Sequence, residues 1–284
     1  MKHPWSITVS LILLFLAAQF IGLAIVHSYL LSAEGKWRNI PSVAGVSIER
    51  PDLTPTQAIL YIVGAILIGS LLIFVIIHFR GMLFWKLWFA CAIIMCLYIA
   101  FAAFVVPWGA LALAMIIGLS KIFFPNKYLH NVSELFTYGG LAALFTPLLT
   151  VLAAFLLLLV LAVYDLYAVF KSKHMIKFAK FQTQSGVFAG LMLPYGKTIL
   201  SSRKKAEKNK GNVAVLGGGD IGFPLFFAGA VLAASGVLAG AIVSVGAAAG
   251  LLVLLLIGQK GKFYPAIPFL TVGAAIGYLI TLLM

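Results

Sequence analysis

The stretch TVLAAFLLLLVLAVYDLYAVF, residues 150–170, decides the fold. At 1.5 Å per residue, about 20 apolar residues cross the hydrocarbon core of a bilayer as one helix. Asp165 is the one charged residue in this run, and no lysine or arginine shares its level. A lone carboxylate in a membrane helix costs about 2.5–3.5 kcal/mol on insertion scales, so it demands a functional reason. Long unbroken apolar runs also exclude a β-barrel, whose strands alternate.

The rest of the chain has the same character. Of its 284 residues 63% are apolar and 10% charged, with a mean hydropathy of +1.12. A soluble domain carries about 25% charged residues, so a soluble globular protein is excluded. The expected fold class is all-α, a polytopic membrane protein with nine transmembrane helices. They fall at residues 7–31, 57–79, 85–104, 108–124, 135–149, 150–170, 213–230, 234–257 and 265–284. The joints within 135–170 and 213–257 have almost no polar break. Helices one to six thus occupy 1–170, a basic loop 171–212, and helices seven to nine 213–284. The first run follows Lys2 and His3 but exceeds the apolar core of a signal peptide, so a retained helix is expected. The apolar segment 187–193 is expected at the membrane interface.

With alternate loops on alternate sides, seventeen of the twenty basic residues share the side of the N-terminus. The other side holds Lys36, Arg38 and Arg50. The positive-inside rule places the N-terminus in the cytoplasm and the C-terminus outside, as for a multi-pass protein of the cell membrane. Trp5, Trp85, Trp88 and Trp108 lie near span ends, as interfacial anchors do. The net charge of +13 is a topology signal and not a nucleic-acid footprint. Cys91 and Cys96 read as packing residues, and no Cys/His spacing suggests a metal site. Gly236 with Gly240, and Gly246 with Gly250, have the four-residue spacing that lets helices approach closely.

Seven residues are acidic, and five of them, Glu134 included, fall in the expected loops. Asp165 and Asp220 alone lie inside spans. Asp165 is about five residues, roughly 8 Å, from the cytoplasmic end of helix six, and Asp220 about seven residues, roughly 10 Å, into helix seven. Two consecutive antiparallel spans therefore bring single carboxylates to nearly one depth. A structural ion pair lacks its cation, which leaves a catalytic pair or a proton pathway. Gly217, Gly218 and Gly219 precede Asp220, and Pro224 removes the N–H that would bond the carbonyl of residue 220, so the helix is expected to be loosened on both sides of the acid. Pro265 and Pro268 remove two donors, either keeping the chain extended or marking a helix start with proline in its first turn.

Together these residues resemble a known family. Tyr164-Asp165 and Gly217-Gly218-Gly219-Asp220 are similar to the YD and GxGD motifs of presenilin and signal peptide peptidase, and Pro265-Ala266-Ile267-Pro268 resembles their PAL motif. The stretch Tyr164-Asp165-Leu166-Tyr167-Ala168-Val169 and the proline at 268 are closer to presenilin, and the compact loops to an archaeal homologue. The resemblance implies an intramembrane aspartyl protease with Asp165 and Asp220 as the catalytic pair. It implies substrate-binding or supporting parts for Tyr164, Gly217, Gly218, Gly219, Pro265, Ala266, Ile267 and Pro268, and neither metal nor cofactor. Ile267 stands where the family usually has leucine, and Gly218 where it has a larger apolar residue, which suggests added flexibility beside Asp220.

The implied substrates are single-span membrane proteins or signal peptides met in the lipid bilayer. A homo-oligomer is allowed, and obligatory partner subunits are not expected. Prepilin-type GxGD peptidases are the nearest rival enzyme, and a proton-coupled transporter or cation leak channel using the same two acids is the rival from another class. Ser235 lacks the deep histidine that a membrane serine protease needs, and the His-Glu-x-x-His pattern of metalloproteases is absent. Asn131-Val132-Ser133 is a glycosylation sequon by pattern, on the expected cytoplasmic face.

Overall fold

Prolines and polar caps punctuate an almost continuous apolar chain and turn it into separate helices. In the computed structural model the described residues are 4–31, 36–43, 45, 47–79, 81–124, 126–172, 187–195, 212–259 and 264–284. They form nine α-helices: α1 (Trp5–Tyr29), α2 (Pro55–His78), α3 (Met82–Ala102), α4 (Pro107–Phe123), α5 (Lys127–Phe145), α6 (Val151–Tyr167), α7 (Gly218–Ser235), α8 (Val237–Ile257) and α9 (Ile267–Leu282). Two short antiparallel sheets accompany them, β1 (Leu30–Leu31) with β2 (Lys36–Trp37) and β3 (Gly190–Tyr195) with β4 (Asn212–Gly217). Pro107 opens α4, where its missing N–H is no loss. Asn126 caps α5 by accepting from the Tyr128 N–H at 2.9 Å. Between α5 and α6, a 3₁₀ turn at Thr146–Leu148 breaks the run, and Thr150 caps α6. The joint between α7 and α8 is Gly236 alone, at φ 91°, a left-handed conformation that suits glycine.

Large apolar side chains such as Leu60, Ile68, Val163 and Leu279 point outward, and the core is apolar too, with Phe15, Tyr29 and Phe227 fully buried among small residues such as Ala18 and Ala228. That inversion of a soluble surface belongs to a lipid-facing bundle, and the protein is an integral membrane protein. Six helices, the described parts of α1, α2, α3, α6, α7 and α8, are long and apolar enough to cross a bilayer, and α4 and α9 are shorter apolar helices. α1 lies against α5, α7 and α8, and α9 lies against α8 and α6. The Gly246 and Gly250 spacing does what it suggested. A Cβ added at Gly246 or Gly250 would collide with the backbone oxygens of Gly273 and Phe269 on α9.

Several boundaries differ from expectation. α5 begins at Lys127 and not at 135, because His130, Asn131, Ser133 and Glu134 depress the local hydropathy although the fold satisfies them internally. Residues 213–217 are strand, not the start of a membrane helix, and α7 begins at Gly218. Within the apolar segment 187–193, residues 190–193 belong to β3. The break between α7 and α8 falls at Gly236, later than residues 230–234. Trp85 is buried against Ile76 and is no interfacial anchor, unlike Trp5 and Trp108, which are exposed.

Candidate active site

Asp165 sits in the last turn of α6, just before the helix widens into a π turn at Ala168–Ser172. Only 4% of it is exposed. The Ile267 N–H donates to its Oδ2 at 3.2 Å, and the Ala266 backbone also reaches this carboxyl. The Pro265–Pro268 stretch therefore supports the acid directly, because backbone amides of Ala266 and Ile267 point at the carboxylate. The geometry is a helix start: Ala266 is the cap, α9 begins at Ile267, and Pro268 lies in its first turn. The expectation of an extended stretch through Pro268 is corrected by that observation. Free N–H groups at a helix N-terminus are the natural partners of an anion, and Pro268 does not compete for it. Ile267 is buried, so the residue that departs from the family pattern supplies its amide to the acid and its side chain to the core.

Asp220 lies in the first turn of α7, three residues after the end of β4. α7 packs against α6, with Asp165 in the final turn of one helix and Asp220 in the first turn of the other. The depth estimate that treated residues 213–220 as one helix does not survive, since five of those residues are strand. The glycines also act differently from expectation. None of Gly217, Gly218 and Gly219 has a positive φ. They make room: a Cβ at Gly217 would meet the Asp220 Oδ2 at 3.1 Å, one at Gly218 the Tyr138 hydroxyl at 2.7 Å, and one at Gly219 the Phe223 ring at 3.0 Å. α7 continues through Pro224 without a break. Tyr164 is half-buried beside Asp165, and its neighbouring helical position turns it about 100° away.

Two groups of residues near this site escaped the sequence reading. Gln19 of α1 is fully buried, and its Nε2 donates to the Ile221 carbonyl at 2.9 Å, one residue beyond Asp220. A lone amide in an apolar run was its signal. Glu134, assigned to a loop from sequence, is buried in α5, where it pairs with Lys121 of α4 and accepts from the Tyr138 hydroxyl. Lys121 is thus an interior partner and not one of the loop charges that set the topology. Asn131 spends its side chain on Met192, so the sequon is internal to the fold.

A family model described as signal-peptide peptidase, presenilin aspartyl protease matches residues 42–284. The chain belongs to that family. It is an intramembrane aspartic endopeptidase by membership, and the Tyr164-Asp165, Gly217–Asp220 and Pro265–Pro268 segments lie within the matched region. A solved presenilin-family intramembrane aspartate protease in the C222 space group superposes with a TM-score of 0.66, at 21% identity, covering 97% of this chain and 98% of that one. The P2 crystal form of a presenilin-family intramembrane aspartate protease gives 0.65 at 21% identity, with 96% of each chain covered. This likeness carries the presenilin-family fold. No curated protein matches the sequence significantly.

Proposed function

We propose that this chain hydrolyses peptide bonds within transmembrane segments, of single-span proteins or signal peptides, with Asp165 and Asp220 as a water-activating pair. The contact of the Asp165 carboxylate with the Ile267 N–H carries the reading, because it joins two of the three family motifs at one buried acid. Two carboxylates at close quarters share one proton and titrate as a unit. The ionised member draws a proton from a trapped water, which attacks the scissile carbonyl, and the protonated member donates to the carbonyl oxygen. The product of that step is a tetrahedral diol, which needs no covalent enzyme intermediate.

A helical substrate hides its carbonyls, so attack requires an extended segment. β4 supports strand addition as the means: among the described residues it pairs with β3 alone, and it runs directly into Gly218 and Asp220. The alternation of buried Ala214 and Leu216 with exposed Val213 and Val215 gives it one face toward the protein. The protein crosses the cell membrane nine times, N-terminus inside and C-terminus outside, and acts without obligatory subunits.

Purified protein in lipid vesicles with a single-span substrate tests the reading. Discrete fragments cut within the apolar segment are expected, and Asp165→Asn and Asp220→Asn should each abolish them while the protein still folds. The double variant should be no worse than either single one, since both disable one unit. Cleavage in either single variant defeats the two-aspartate mechanism, and ion flux without fragments favours a transport pathway.

A further inference from the structure

A two-stranded hairpin has little stability of its own, and both its outer edges present unpaired N–H and C=O groups. The outer edge of β3 is not left open. On β3, Gly190 and Met192 alternate with the residues that bond β4, and each finds its partners on α5. The Met192 N–H donates to the Asn131 Oδ1 at 3.0 Å, and the Asn131 Nδ2 donates to the Met192 carbonyl at 2.8 Å. The Gly190 N–H donates to the Glu134 Oε2 at 3.1 Å, and the His130 Nε2 bonds the Gly190 carbonyl at 2.8 Å. Pro194, next in the alternation, has no N–H to satisfy. Side chains of one helix face thus reproduce the hydrogen-bond pattern of a third strand.

The same face reaches the active-site turn. Glu134 holds Lys121 on one oxygen, and on the other it receives both the Gly190 N–H and the Tyr138 hydroxyl. Tyr138 in turn lies against Gly218, whose N–H donates to the Ala189 carbonyl at 3.2 Å, and Asp220 is among the charges that act on it. Gly190, at φ 146°, stands where a Cβ would strike the Leu216 carbonyl, so the clamp grips the hairpin at a position that admits only glycine.

We propose that α5 serves as a surrogate edge strand, in which His130, Asn131 and Glu134 lock β3 while Glu134 and Tyr138 act as positioning residues for the Asp220 turn. This rests on the proteolytic reading above for the role of Asp220. Among the described residues it also leaves β4 as the hairpin edge without a strand partner, and so the one offered to a substrate strand.

Amide exchange and cleavage at saturating substrate, measured on the full chain in lipid, test this separately. Asn131→Ala buries no charge and should speed exchange in 190–195 and 212–217 about tenfold, because two edge bonds are lost. Turnover should fall by about tenfold as the Asp220 turn shifts, with the thermal midpoint little changed. Glu134→Gln strands the Lys121 ammonium and should be poorly active. The pair Glu134→Gln with Lys121→Met keeps an acceptor without the charges and should recover most of the turnover, which a plain charge requirement at position 134 does not predict. Unchanged hairpin exchange in Asn131→Ala overturns the clamp. Faster exchange with unchanged turnover overturns the positioning role, provided Asp220→Asn is inactive. An active Asp220→Asn defeats the catalytic reading instead, and the exchange result still decides the clamp.

Discussion

Replacing Gly218 by alanine asks directly why glycine stands before Asp220. The added Cβ would lie 2.7 Å from the Tyr138 hydroxyl oxygen, with two ring carbons at 3.1 and 3.3 Å. Tyr138 has no room to yield. It is 4% exposed, and its hydroxyl is committed to Glu134. Overpacking of this kind costs about 1–3 kcal/mol, and the softer response is a shift of the first turn of α7. A displacement of about 1 Å at a reacting group lowers turnover by about a hundredfold. Tyr138→Phe removes the closest atom and leaves carbon contacts that a few tenths of an ångström relieve. By itself that change costs about 1 kcal/mol, one hydrogen bond. The double variant should therefore be more active than Gly218→Ala alone, with a coupling of about 1–2 kcal/mol, or roughly tenfold in rate. Fragment yield from one single-span substrate and thermal midpoints of the four proteins complete the cycle. Additive losses, or a fully active Gly218→Ala, would refute the steric account and return the glycine to a role in flexibility.

Further outcomes follow from the same geometry. Gly250→Ala should destabilise the protein by about 1–3 kcal/mol, because its Cβ meets the Phe269 carbonyl, whereas Gly64→Ala in α2, with open space around it, should be neutral or stabilising by about 0.5–1 kcal/mol in thermal unfolding. Bulkier residues at Ala266 should depress cleavage by moving the amides that hold Asp165, with Asp165 itself intact, as measured by fragment yield. A cysteine placed in 201–212 should react only with a cytoplasmic reagent, and labelling from outside would reverse the orientation. A substrate series with alanine, glycine or paired leucines around one cut should be cleaved faster as its helix weakens, each glycine contributing about 1 kcal/mol relative to alanine. Indifference of cleavage to helix stability would sink strand addition and leave the aspartate pair.

Much of this protein is legible without coordinates because the bilayer permits few solutions. Backbone groups in lipid must be bonded within their own segment, so long apolar runs can only be helices, and a carboxylate among them stands out by its cost. Asp165 and Asp220 were visible for that reason, whereas the prolines marked the Pro265–Pro268 segment and the glycine spacing at Gly246 and Gly250 marked a close helix contact whose partner, α9, only the structure names. Hydropathy fails where polar groups are satisfied by distant partners. Glu134 and Lys121 looked like loop charges because their neutralising partners are thirteen positions apart and meet only across two packed helices. β3 and β4 were hidden for a related cause. An apolar strand segment such as 213–217 running into a helix has the same composition as the start of a longer helix, and pairing with another segment of the chain decides between them. Tertiary structure alone turned the three glycines from an expected loosening of the helix into clearance for the Asp220 carboxylate, Tyr138 and Phe223, because clearance is a property of what stands opposite, and no local pattern records it.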